Sequence, residues 1–260
     1  MRRAFADTPE GQIHYRTAGE GRAVLLLHQT PRSSDEYRDV IPILSRDFRV
    51  IAMDTIGYGD SYKPPRTCSI EDYARGAVSL LDALGVPSAC VVGHHTGAVI
   101  GIELAASYPE RVLRLVLSAS PYIDAAERER RRGRPLVDHV EAKADGGHLV
   151  ELWVGRMGFY PPGRPDLLER FLTDALKAGE KLEEGHRACS AYRMEEKLGR
   201  VRCPTLVLCG AEDPFSYPRT ELVAQHIPGS RTYLIPGGTV AVVDQMPAEF
   251  AAAIQGFLRE

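Results

Sequence analysis

Short apolar runs recur along the chain, separated by longer stretches in which apolar positions return with helical spacing. Residues 23–27, 49–53, 88–92, 113–118 and 205–209 are near-continuous apolar runs, and 12–16 and 232–235 read as shorter strands. Continuous rather than alternating apolar character predicts strands buried on both faces, as in a parallel sheet covered by helices. Between them, residues 33–45, 69–84, 96–108 and 247–259 carry helical patterns. Ser69 followed by Asp72 forms a capping-box pattern at the start of the second. Pro109 stops the third, and Pro247 suits the first turn of the last. Strand-helix alternation of this kind predicts an α/β fold with a doubly wound, mostly parallel sheet of about eight strands.

The rhythm breaks over residues 122–200, which hold helical patterns and no convincing strand. The expected organisation is therefore a core formed by residues 1–121 and 201–260, with a helical cap at 122–200 inserted over the sheet's carboxyl edge. The basic run ERERRRGR, residues 127–134, opens the insertion and reads as a solvated helix start.

Composition narrows the function classes. The chain has 260 residues, enough for one large domain with an insertion, and its net charge of -3 gives no basis for a nucleic-acid partner. No apolar stretch approaches the roughly 20 residues of a membrane span. The opening MRRAFAD lacks the apolar run of a signal peptide, so a cytoplasmic protein is expected. The five cysteines have no C-x-x-C spacing and read as free thiols. Neither G-x-G-x-x-G nor a P-loop pattern occurs, and no cofactor is expected. A small-molecule substrate is the expected partner, with no membrane or nucleic acid; a homodimer is left open.

The chemistry concentrates in VVGHHTGAVIG, residues 91–101. A β-branched run ends in Gly93 and a small-residue helix opens after Gly97, the shape of a G-x-S-x-G nucleophile elbow. His95 stands where the serine would be. Five further motifs follow the order of the α/β-hydrolase superfamily in its capped form, which the chain resembles over nearly its whole length. These are LLLHQTP (25–31), DTIGYGDS (54–61), YPERVLRLVL (108–117), LVLCGAEDP (206–214) and IPGGTVAVVDQMPAEF (235–250).

The resemblance implies a triad of nucleophile, acid and histidine, in that chain order. Here the acid position is Asp213, while the histidine position holds Thr239, or Val240 if the loop is offset by one. No histidine follows His226. His95 is then the candidate general base or nucleophile, and the nearby helix N-terminus favours its neutral form. The N–H groups of Thr96 and of Gln29 or Thr30 are candidate oxyanion donors. His28, Arg32, Trp153, Tyr160 and Thr239 are candidates for substrate contact. His139, His148 and His186 each offer a base from the cap. Asp54 and Asp244 read as structural. No metal site is expected, because His94 and His95 should point apart around a tight turn and His28 should brace its own loop.

The expected function is an enzyme with an atypical triad, acting on a small organic substrate. Hydrolysis of an ester, lactone or C–C bond is one form, and cofactor-free lyase, isomerase or cyclase chemistry another. The alternative is a ligand-binding protein that keeps the pocket and has lost catalysis.

Overall fold

The computed structural model describes residues 1–133 and 137–260. Arg134, the last residue of the basic run, lies outside the described residues. Eight strands form one sheet: β1 (Arg2–Thr8), β2 (Gly11–Ala18), β3 (Ala23–Leu27), β4 (Arg49–Met53), β5 (Ala89–His94), β6 (Val112–Ser118), β7 (Thr205–Gly210) and β8 (Arg231–Ile235). Their order is β1-β2-β4-β3-β5-β6-β7-β8. β2 pairs antiparallel with β1 and β4, and every later pairing is parallel. The helices are α1 (Ile41–Leu44), α2 (Ile70–Ala83), α3 (Thr96–Ser107), α4 (Ala125–Arg131), α5 (Gly147–Met157), α6 (Pro165–Ala178), α7 (Glu184–Ala191), α8 (Thr220–Gln225), α9 (Val242–Gln245) and α10 (Pro247–Arg259).

The central strands β3, β5 and β7 are buried along their whole length because both faces are covered. Leu25, Leu27, Ile51, Val91, Leu115 and Leu117 point to one face, under α2 and α3. Their neighbours Val24, Leu26, Val50, Val92 and Val116 point to the other, with Leu44 of α1 and Phe250 and Ile254 of α10. A period of two within each strand thus feeds two cores. The capping box at α2 forms as its pattern predicts: Asp72 N–H donates to the Ser69 hydroxyl and Ser69 N–H to the Asp72 carboxylate. The five cysteines are free thiols.

Two local expectations are corrected. β1 escapes the sequence pattern because RRAFADT is an edge strand with only Ala6 buried. The single helix predicted over 33–45 is instead a 3₁₀ turn, Ser34–Tyr37, followed by the short α1. Pro42 explains the break: without an N–H to donate to the carbonyl four residues back it disfavours a helix interior, and it sits instead in the first turn of α1.

Between β6 and β7 the described residues are helical and contain no strand. Within this segment Tyr160, Leu167, Leu168 and Phe171 form a third small core that takes in Trp153 and Ala241. No helix among the described residues is long and apolar enough to cross a membrane.

Candidate active site

The carboxyl ends of β3, β5 and β7 bring three loops to one edge of the sheet, the usual site of chemistry in open α/β sheets. At the end of β5, His95 adopts φ 47° and ψ -110°. Positive φ is costly for a residue with a side chain, and it persists here because the surroundings leave no alternative. A Cβ on Gly93 would fall on the Gly97 carbonyl, and one on Gly97 on the Leu27 carbonyl. The two glycines therefore let α3 sit directly on the strand ends. The His95 N–H donates to Ser118 O at 2.9 Å, and its carbonyl accepts from Ala98 N at 2.9 Å, starting the helix.

The His95 imidazole turns toward the acid. Its Nε2 lies 3.9 Å from Asp213 Oδ2, and the side chain is 20% exposed while that of Asp213 is 0%. Nε2 is buried without a hydrogen-bond partner. Asp213 is aimed by its own turn: Oδ1 accepts the N–H groups of Phe215 and Ser216, each at 2.9 Å. Burial pulls the His95 pKa well below the ordinary imidazole value, and the positive potential of His94, Arg156 and His186 acts the same way. These effects favour the neutral imidazole at pH 7.

His94 is structural. Its Nε2–H donates to Val240 O at 3.0 Å and its Nδ1 accepts from the Ser118 hydroxyl at 2.9 Å. Burial lowers its pKa to about 4. The ring stands edge-on to His95 with centroids 4.6 Å apart, fixing the His95 plane.

An open cleft of about 1320 Å³ lies over the elbow, lined by Thr30, His95, Thr96, Phe159, His186 and Phe215 among others. The Thr30 and Thr96 hydroxyls bond at 2.8 Å, joining the two loops that flank the elbow. Gln29 also lines the cleft, but its N–H is engaged with Glu36 Oε2 at 3.0 Å, and its side-chain amide with Oε1 at 2.7 Å. Burial raises the Glu36 pKa to about 7. The oxyanion donor expected from Gln29 is thus already committed, leaving Thr30 and Thr96.

Several expected substrate contacts do not reach the cleft. Both His28 nitrogens are taken, Nδ1 by Gln29 O at 2.7 Å and Nε2 by Thr55 N–H at 2.9 Å. Arg32 is fully buried between Asp174, at 2.9 Å, and Asp244. Trp153 and Tyr160 belong to the small core described above. Thr239 turns its N–H and hydroxyl to Gln245 Oε1, and Val240 takes the place on the cleft wall. Asp54 braces its loop as expected, accepting from Ser34 N–H at 2.7 Å and Asp60 N–H at 2.8 Å. His94 and His95 do not point apart as expected, since their rings meet edge-on, while His28 braces its own loop through Gln29 and Thr55.

Of the three histidines in the helical insertion, His139 and His186 line the cleft, whereas His148 accepts from Lys143 N–H. His186 is the oriented one. Its Nε2–H donates to Asp138 Oδ2 at 3.0 Å, and Arg156 grips the same carboxylate with Nε at 2.5 Å from Oδ1. Burial opposes ionisation of Asp138, but Arg156 and His186 hold its pKa at about 2. Asp138, Glu183 and His186 offer ligand atoms within 4.8 Å of one another. The Arg156 guanidinium already pairs with Asp138, which disfavours a metal cation on that carboxylate. Asp138 and Arg156 carry no local signature, since they meet His186 from 48 and 30 residues away.

Residues 22–239 match the family model described as alpha/beta hydrolase fold. The chain belongs to that family. A haloalkane dehalogenase of Mycobacterium marinum is 30% identical over 252 residues, covering 87% of this α/β-hydrolase-fold chain and 81% of the relative. Bifunctional epoxide hydrolase 2 of Mus musculus is 38% identical over 121 residues, 44% of this chain and only 21% of the relative's length. Among solved structures, a thermophilic esterase from Thermogutta terrifontis superposes with TM-score 0.78 at 26% identity, over 100% of this chain and 98% of the other. An enol-lactonase from Burkholderia xenovorans LB400 gives TM-score 0.84 at 20% identity over 99% and 100% of the two chains, a likeness of fold.

Proposed function

We propose that this protein is a hydrolase that cleaves a small ester or lactone by direct attack of water, with His95 as general base. The observation that carries this reading is the pairing of His95 with Asp213: one imidazole, presented by the elbow, fills the space between elbow and acid that a separate histidine holds in the family's triad. Val240 leaves that space open. Water bound at the solvent side of His95 gives a proton to the neutral imidazole, and its oxygen attacks the carbonyl carbon. The imidazolium so formed keeps a proton on Nε2, facing Asp213, and a modest ring rotation closes the 3.9 Å gap. The N–H groups of Thr96 and Thr30 stabilise the tetrahedral oxyanion. On collapse the alkoxide leaves and takes the proton back from His95, giving acid and alcohol and restoring the base.

His186, held by Asp138 across the cleft, has its Nδ1 lone pair free of that bond and orients the attacking water by accepting a hydrogen bond from it. The relatives named for hydrolytic activities support a water-consuming reaction of this kind. One observation favours a ligand-binding protein instead: Glu36 occupies the Gln29 N–H.

The test is His95→Asn, chosen because asparagine tolerates positive φ. On a panel of small esters and lactones, kcat/KM should fall by about 10²–10⁴-fold, the range of a general base, with the melting temperature preserved. Undiminished turnover would remove His95 from the mechanism. A wild type that turns over nothing on the panel supports the binding protein.

A further inference from the structure

We propose that the cleft selects a substrate bearing a carboxylate, held by the guanidinium groups of Arg131 and Arg219. This deepens the hydrolase reading and rests on it. Arg131 ends α4, and Arg219 precedes α8 on the opposite side of the chain's path, 88 residues away; both line the cleft that holds His95. They converge on one carboxylate. Glu127 Oε1 accepts from Arg131 Nε at 2.6 Å and lies 3.6 Å from Arg219, while Arg130 pairs with Oε2. Three guanidiniums therefore share a single carboxylate.

The forks are not solvated surface groups. Their side chains are 33% and 26% exposed, and Glu127 itself only 12%. Burial lowers the pKa of Arg131. Burial, and then Arg131 and Arg130, lower that of Arg219, outweighing the opposite pull of Asp124. Positive charge here is in excess and partly desolvated, the condition under which an incoming anion gains most. Arg187 on the same wall adds to the field. The other lining arginines are matched: Arg128 by Glu195, Arg132 by Glu129 and Arg156 by Asp138. Planar forks suit a planar carboxylate, which each can grip with two N–H groups. A cleft of about 1320 Å³ is roomy enough for a substrate that touches this wall at one end and His95 at the other.

The experiment titrates glutarate, a dicarboxylate without a scissile bond, into the full-length protein by calorimetry. Wild type should bind it, more weakly in 500 mM than in 50 mM NaCl. Arg131→Gln and Arg219→Gln should each weaken binding tenfold or more, while Glu127→Gln, which removes the competing carboxylate, should tighten it. His95→Asn should still bind, so failure of the catalytic reading and failure of this one are separable. In a second arm, wild type should show at least tenfold higher kcat/KM on monomethyl glutarate than on methyl pentanoate. The proposal is overturned if wild type does not bind glutarate, if Glu127→Gln leaves binding unchanged or weaker, or if both arginine variants, folded by circular dichroism, bind as wild type does.

Discussion

At the scale of single residues the decisive fact is that His95 is half-buried, with Nε2 unpartnered and its pKa depressed. A general base must be unprotonated, so the rate follows the deprotonated fraction. Because burial and the neighbouring positive groups push the His95 pKa well below 6.5, that fraction is complete before neutrality. The sign is fixed: kcat/KM rises as pH increases through the depressed pKa and is level from pH 6.5 upward. A profile on any substrate the enzyme accepts measures this directly. An acid limb centred at or above 6.5 would mean that His95 is not the titrating base, and the oriented His186 would become the first replacement. Asp213 reinforces the argument from the other side. Two backbone N–H groups hold Oδ1, leaving Oδ2, which the Cys209 thiol approaches only at 3.8 Å, to face the imidazolium.

At the scale of elements, a histidine stands on the elbow and none on the loop after β8. In the family's arrangement the elbow carries a nucleophile and the final loop a histidine; here the histidine is on the elbow and Val240 is on the loop. Restoring both should restore the usual chemistry. The double variant His95→Ser/Val240→His should form an acyl-enzyme with 4-nitrophenyl acetate, seen as a rapid burst of nitrophenolate, and neither single variant should do so. A double variant without a burst would show that the loop backbone no longer delivers residue 240 to the elbow. The elbow position of His95 was readable in the sequence because GHHTG is a compact motif whose glycines fix local geometry. The buried strands were legible for the same local reason, an uninterrupted apolar run. What escaped was set by distance. Arg32 looks like a substrate clamp from its position after Pro31, yet Asp174 and Asp244, 142 and 212 residues on, claim it. The apolar Trp153 and Tyr160 gave no sign whether they would face the cleft or Phe171. The Asp138, Arg156 and His186 set exists only after α5 and α7 pack. The basic run read as a solvated helix start, and nothing near it in sequence revealed that Arg219 would arrive beside Arg131.

At the scale of the whole molecule, the helical segment between β6 and β7 is tied to the sheet's loops through buried charge. Arg32, from the loop after β3, joins Asp174 of α6 to Asp244 of α9 with none of its side chain exposed. Arg170, also on α6, lies 2.8 Å from the other Asp244 oxygen and 3.5 Å from Asp35. Such a cluster adds little net stability over an apolar core, because desolvation offsets the attraction, but removing one member leaves an uncompensated charge. Asp174→Ala should therefore cost about 3–5 kcal/mol in urea unfolding, far more than loss of an exposed ion pair. At roughly 2–4 °C per kcal/mol for a chain of this size, the melting temperature should fall by roughly 6–20 °C. The location of the damage separates a clamp from general destabilisation. α6 packs against Trp153 and Tyr160, neighbours in the chain of the cleft-lining Arg156 and Phe159, so hydrogen exchange in α5–α7 should accelerate before exchange in β3–β7. Catalysis should then suffer in KM more than in kcat, since the elbow stays assembled on β5 while the wall that positions substrate loosens. Uniform acceleration across sheet and insertion would instead make the cluster part of the common core. The insertion would then have no independent motion through which substrates could enter.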